Sequence, residues 1–416
     1  MGMTMVEKIL AAHAGLDEVR PGEIVTCEAD WVVHVDLMFT VGTPMPKRVH
    51  RPDRQIVVMD HSIPACAVKD ADTGVKIRDM VARLEIPHFF DVGNHGISHQ
   101  ILAEHGYALP GMLLVCCDSH TGASGAFNCA ARALGTLDSV AVACKGKTWF
   151  QVSPTIRYDL EGKLQERVNT KDVFLYIAGE YGDATNHSIE FSGSGIANLS
   201  IGERQTLATM CTEIGADFPI FPCDDRLIEY LDGRARETFT PVESDPDAEY
   251  EDIRRIDLGE VVPYVALLHS VPKNCAPVSE IGKQKIHQAF VGSCANGRLE
   301  DIAAAAEIVK GKKVVPGVRL IVTPASQRVY MDALRAGYFE TLVESGAVVT
   351  NSTCGPCYGG SMGIVGAGER CVTSSPRNFK GRMGSSDSEI FLASPATVVA
   401  SALTGYITDP RDIETR

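Results

Sequence analysis

The sequence predicts an α/β fold: three α/β domains with mainly parallel sheets around a shared cleft. Three observations predict it. Short apolar, β-rich runs alternate with helical patterns along the chain, the arrangement of parallel sheets covered by helices. At 416 residues the chain is too long for one hydrophobic core, so two or three domains are expected. Chemically reactive residues also stand just past the ends of several predicted strands, and that edge is where open α/β sheets bind ligands.

The elements follow in order. "QIVVMDH" (Gln55 to His61) is an apolar strand that delivers Asp60 and His61. "GMLLVCCDSHT" (Gly111 to Thr121) is another and delivers Asp118, Ser119 and His120. "TFTPVESDPDAEYEDIRR" (Thr238 to Arg255) is charged and helix-breaking, and reads as a surface connection. "HQAFVGSC" (His287 to Cys294) is a third strand, followed by the helical "LEDIAAAAEIVKG". "GVRLIVTPA" is a fourth, followed by the helix-like "SQRVYMDALRAGYFETLVESG", and "GAVVTNSTC" is a fifth that leads to Cys354. Domain boundaries are expected near residues 155 and 280, dividing the chain into 1–155, 156–280 and 281–416, the last unit carrying Cys294, Cys354 and Cys357.

Composition narrows the function. The net charge of −14 disfavours binding of nucleic acid or an acidic membrane through a general basic field, while leaving room for a small anion held by local arginines. No apolar run is long enough to span a bilayer. The opening "MGMTMVEKILAAHAG" lacks the pattern of a secretion signal, so a cytoplasmic location is expected. Thirteen cysteines, an odd number without regular spacing, argue against a disulfide scaffold.

Cys354 and Cys357 form a C-x-x-C on a loop rich in Gly and Pro. Such a pair can grip a metal, cycle as a disulfide, or be two small buried residues. Zinc ribbons usually carry two such pairs, and a redox pair normally opens a helix in a compact βαβ unit. Cys294 adds a third thiol at another strand end. Three thiolates without a fourth of similar context suit an iron–sulfur cluster in which one iron lacks a protein ligand and can polarise a substrate oxygen. Cys371, in "GERCVTSS", reads as a packed strand residue.

"VGSCANGR", "NSTCGPCYGG", "SSPRNFKGRMGS", "DH", "GISHQ" and "DSHT" together resemble the large subunit of the aconitase family, within it the 3-isopropylmalate dehydratase and homoaconitase group. The resemblance runs from about Val6 to about Asp412. It implies a [4Fe-4S] cluster, one per subunit, on Cys294, Cys354 and Cys357. It implies acid–base roles for Asp60 with His61, for His99 with Asp118, and for His120 oriented by Glu213. Ser119, Arg377 and Arg382 would bind substrate. The chemistry of these residue types agrees: a histidine held by a carboxylate can donate to a leaving hydroxyl, and arginine grips carboxylates in a fork. His34, in "WVVHVD", is a further candidate for the site, and His95 reads as structural.

The implied activity is a hydro-lyase acting on a hydroxy di- or tricarboxylic acid: a substituted malate such as 3-isopropylmalate, a homocitrate-like acid, or 2,3-dimethylmalate. The resemblance also implies that the swivelling domain of full-length aconitases, with its serine base, lies on a separate small subunit. Two positions depart from the family: Pro376 and Thr209 stand where Asn is usual, which puts the substrate in doubt. Two rival readings are an iron-sensing RNA-binding protein and a zinc-bound structural module.

Overall fold

The computed structural model describes residues 2–414, which build three mainly parallel sheets and one two-stranded antiparallel ribbon. The first sheet runs His88–Phe90, Gln55–Val58, Trp31–Val35, Leu113–Cys116, Ala130–Ala133, with every neighbour parallel. "WVVHV", "QIVV" and "LLVC" are buried at every residue, because both faces of this sheet are covered. Val32, Leu113 and Val115 pack on the helix Met5–Ala14; Val33, Leu114 and Cys116 point the other way, toward Ile101 and Leu102 of the helix Ser98–Glu104.

The helix Met5–Ala14 starts on a capping box between Thr4 and Glu7 and stops at Gly15, whose φ of +68° is the left-handed conformation favoured by glycine. His13, in its last turn, places Nδ1 2.7 Å from the Ile9 carbonyl and Nε2 2.7 Å from Asp30. Both ring nitrogens therefore face acceptors. Burial works against the imidazolium, yet Asp30 and the carbonyl outweigh it and raise the His13 pKa. A raised histidine stabilises the fold fully below its unfolded pKa and ceases to do so as pH rises through the folded value. Denaturant unfolding should show His13→Gln costing more at about pH 6 than at about pH 9; an equal cost at both would refute the charged pairing.

The second sheet runs Pro219–Ile220, Ser188–Ser192, Thr155–Glu161, Asp252–Asp257, all parallel. Its last strand lies within and just beyond the stretch expected as a surface connection. Only Ile256 of that strand is buried, so an exposed edge carries charges at the positions that would otherwise signal a strand. The third sheet runs Cys275–Pro277, Tyr264–Ala266, Glu389–Ala393, Arg370–Thr373, Gln288–Val291, Arg319–Val322, Val348–Val349. It begins upstream of residue 280, because Tyr264–Ala266 pairs antiparallel onto the distant Glu389–Ala393, a pairing with no local signal. The helix-like run after the fourth strand is two helices, Gln327–Arg335 and Tyr338–Ser345, broken at Gly337 with φ +76°. No helix among the described residues is long and apolar enough to cross a membrane.

The three sheets converge through specific hydrogen bonds. Phe221 N–H donates to the Gly125 carbonyl (2.9 Å), joining the first and second units. Thr206 Oγ1 donates to the Ala295 carbonyl (2.7 Å), joining the second and third. Ile97 N–H donates to the Ala325 carbonyl (2.7 Å), joining the first and third. At that last crossing a Cβ on Gly96 would lie 2.8 Å from Ser326 Cα, so only glycine permits the approach.

Candidate active site

Asp60, His61, His99, Asp118, His120, Cys294, Cys354, Cys357 and Arg382 line one narrow cavity at the strand ends. Each arrives from a loop or helix start that follows a parallel strand, the edge at which such sheets expose functional groups. Ile97 and Tyr358 complete the lining.

Asp60 and His61 follow the strand Gln55–Val58 and are held by a residue the sequence reading did not select. Asp36, 2 % exposed, accepts hydrogen bonds from the backbone N–H of Asp60 (3.3 Å), His61 (2.9 Å) and Ser62 (2.8 Å). Nothing in "HVDLMF" announces that role, which exists only once two neighbouring parallel strands end side by side. The His61 ring lies 3.5 Å from Asp60 and 3.6 Å from Asp36 at Nδ1, and 3.7 Å from Asp118 at Nε2. Burial alone would lower its pKa, but the carboxylates of Asp60, Asp36 and Asp118 prevail and push it up to about 10. The three carboxylates thus favour the protonated form of the His61 ring. Tyr358, also missed, donates to the His61 carbonyl (3.1 Å) and sets its ring edge-on to the imidazole at 5.1 Å.

Asp118 is the hub. Its Oδ1 accepts from His99 Nε2 (2.8 Å) and from the His120 backbone N–H (2.8 Å). Burial opposes its charge, yet His99, His120 and His61 together hold the carboxyl well below the usual range. His99 Nδ1 is buried with no hydrogen-bond partner in the protein. His120 Nε2 donates to Glu213 (2.8 Å), and burial lowers the pKa of its ring. Ser119 Oγ lies 3.4 Å from His120 Nδ1. Arg377 Nε donates to the same Glu213 oxygen (2.8 Å), so this guanidinium is engaged with a carboxylate of the protein itself and lies outside the cavity lining. Arg382 lies inside it, and its Nε is buried without a hydrogen-bond acceptor.

The thiols come from two loops. Cys294 follows Gly292 and Ser293, the latter with φ +70°, and its backbone is fixed by Arg298, which donates to the carbonyls of Cys294 (2.9 Å) and Ala295 (2.8 Å). Cys354 donates to Asp60 Oδ1 (3.3 Å), and Cys357 adjoins Arg382. Burial, together with their neighbouring thiols and carboxylates, pushes the Cys294 and Cys354 thiols well up. Three thiols crowded with carboxylates in one cavity are an odd arrangement for mere packing and a natural one for ligands to a cation. Among the described residues, only Asp60, His61 and Cys354 have ligand atoms that all fall within 4.8 Å of one another. Two Zn–S bonds span at most about 4.6 Å. The three thiols do not all lie within that span of one another.

The other candidates lie elsewhere. His34 hydrogen-bonds Gln55 (3.0 Å) inside the first sheet and does not line the cavity. His95 bonds Asn351 (3.0 Å) at the junction of the first and third units. Cys371 is fully buried in the strand Arg370–Thr373. Thr209 is buried with an unpartnered hydroxyl, and Pro376 is buried.

Residues 36–285 and 269–405 match the profile of the aconitase family (aconitate hydratase). The 3-isopropylmalate dehydratase large subunit of Mycolicibacterium smegmatis is 52% identical over 99% of this chain and 98% of its own length. The proteins of the same description from Moorella thermoacetica and Helicobacter hepaticus are 43% and 41% identical, each over 99% of this chain and 100% of its own length. Among solved structures, aconitase X of Thermococcus kodakaraensis aligns with a TM-score of 0.47 at 11% identity, covering 90% of this chain and 93% of that one.

Proposed function

The chain belongs to the aconitase family and is a hydro-lyase, and from that premise we propose that it is the large subunit of a [4Fe-4S]-dependent dehydratase of 3-isopropylmalate or a closely related substituted malate. The observation that carries this reading is the cavity itself: three buried thiols, a carboxylate–histidine hub and a half-buried arginine line one space. Full-length similarity to three proteins described as 3-isopropylmalate dehydratase large subunits supports the substrate class.

Cys294, Cys354 and Cys357 would hold the cluster, one per chain. Bound there, it would supply Lewis-acid chemistry toward a leaving hydroxyl. The chain's own residues account for the rest. Asp118 fixes which nitrogen of His99 carries its proton and presents the ring to the cavity. His61, charged and flanked by three carboxylates, holds a proton within reach of a leaving oxygen. His120, backed by Glu213, offers its other nitrogen toward Ser119. Arg382 offers an unpaired donor to a substrate carboxylate. Arg377 acts chiefly by fixing Glu213, a more limited role than a free paired grip.

A base for the α-proton is assigned to a partner. The relatives' description as large subunits supports a small subunit that carries the swivelling domain and closes the other wall of the cleft. The test is anaerobic reconstitution of this chain with iron, sulfide and the small subunit, followed by a panel of substituted malates that includes 3-isopropylmalate and 2,3-dimethylmalate. About four iron and four acid-labile sulfide per chain are expected, with turnover of a malate only when both subunits are present. Colourless, iron-free protein after reconstitution would end the cluster reading; full turnover by the chain alone would end the partner reading.

A further inference from the structure

Lys171 is a charged group that the reactions above leave unused. It stands in the first turn of the helix Thr170–Glu180, with no exposure to solvent. Its Nζ donates to the carbonyls of Ser374 (3.1 Å) and Ser375 (3.0 Å) and to Met210 Sδ (3.1 Å). All three acceptors are neutral, and among the described residues the ammonium makes no ion pair. A buried cation with only neutral partners is costly unless negative charge lies close by.

The groups whose charge, when ionised, acts on it are Cys294, Glu213 and Cys357, with Asp172 next in the chain. Asp172 faces its own helix start, accepting from the backbone N–H of Tyr264 (3.0 Å) and Asn169 (3.1 Å), and burial pushes its carboxyl up to about 7, which makes it a weak counter-ion. The contacts of Lys171 also join three parts of the site. Ser374 and Ser375 lead into Arg377. Ser374 Oγ accepts from the Gly292 N–H (3.1 Å), two residues before Cys294. Met210 lies three residues before Glu213.

We propose that Lys171 is the internal counter-charge of the thiolate site: its ammonium, pinned by two carbonyls and a thioether, offsets the negative charge that Cys294 and Cys357 acquire as ligands, and positions the loop of Arg377 against them. This rests on the reading of the three thiols as cluster ligands. The ammonium touches neither substrate nor reacting atoms, so it is a positioning residue. Its charge favours the reduced cluster, because reduction adds negative charge nearby.

The experiment compares the reconstituted two-subunit enzyme with Lys171→Met, Lys171→Gln and Lys171→Arg. Cluster midpoint potential is read by redox titration followed by electron paramagnetic resonance, and melting is measured with and without the cluster. Lys171→Met is expected to disfavour reduction at least tenfold, about 59 mV for a one-electron couple. Lys171→Gln should shift the same way, whereas Lys171→Arg keeps the charge and should keep the potential. Cluster-free Lys171→Met should melt no lower than the cluster-free parent, since an uncompensated buried cation has gone; loaded with cluster, it should gain less stability than the parent does. A parent that takes up no iron would sink the cluster reading and this inference with it. A loaded parent with unmoved potentials in both uncharged variants sinks this inference alone, as does an equal loss of melting temperature in loaded and cluster-free forms.

Discussion

Replacing Asp118 by asparagine is expected to lower turnover of the reconstituted enzyme about 10³-fold, within the range typical of positioned acid–base groups, while the fold and the iron content stay those of the parent. The asparagine amide has the carboxylate's shape. Its oxygen can keep both bonds that Asp118 Oδ1 now accepts, from His99 Nε2 and from the His120 N–H. Its nitrogen then faces His61 Nε2, which lies 3.7 Å from Asp118 Oδ2, so a donor meets a donor. The charge that holds His61 protonated is also cut from three carboxylates to two. The His61 pKa should therefore fall, and with it the fraction of enzyme carrying a proton at high pH. The pH profile of kcat should lose activity on its alkaline side at a lower pH than the parent. Iron analysis and melting temperature separate this from cluster loss or misfolding. A turnover loss of less than about tenfold at neutral pH would show that the hub serves packing rather than proton transfer.

Much of the site could be read in the sequence because parallel sheets convert linear motifs into spatial ones. A strand that ends on "MDH", "CDSHT", "GSC" or "NSTC" delivers its last residues to the same edge as its neighbours, so local reading brought six lining residues to one cleft, while Cys357 came from the C-x-x-C spacing and His99 and Arg382 from the family resemblance. What could not be read depends on distant partners. Asp36 becomes a cradle only through its contacts with Asp60, His61 and Ser62. Arg377 is drawn to Glu213, 164 residues away in the chain, and no local pattern distinguishes it from Arg382. Lys171, in "NTKDVF", looks like an ordinary exposed charge in a first helical turn until three other segments cover it. The strand Asp252–Asp257 was hidden because an edge needs only one buried side chain, Ile256. The break at Gly337 was visible as a glycine, but its left-handed φ of +76° was not.

Cys294→Ser is expected to leave the protein folded, without bound cluster and without measurable turnover, whereas Cys371→Ser should retain both. The two positions are alike in residue type and both are buried, so the contrast isolates ligation from packing. The serine hydroxyl is smaller and much less acidic than a thiol, and as a hard oxygen donor it is a poor match for a site that selects iron–sulfur clusters through soft thiolates. The loop around Cys294 does not depend on the sulfur for its shape: Arg298 holds the carbonyls of Cys294 and Ala295, and Gln205 (3.1 Å) and Thr206 (3.0 Å) hold Arg298 in turn. Folding should therefore survive the change, which circular dichroism and melting temperature can verify. On the proposed ligand set one of three protein ligands would be gone, and the remaining pair, Cys354 and Cys357, on a single loop, would not enclose the group. Cys371, by contrast, sits inside the strand Arg370–Thr373, where its thiol donates weakly to the Val372 carbonyl at 3.6 Å. Its replacement inserts a hydroxyl into an apolar sheet, so it should cost stability, about 1–3 kcal/mol, and leave the iron in place. Full iron and sulfide retention in Cys294→Ser, or loss of the cluster from a well-folded Cys371→Ser, would reverse the assignment of ligands on which the hydro-lyase mechanism stands.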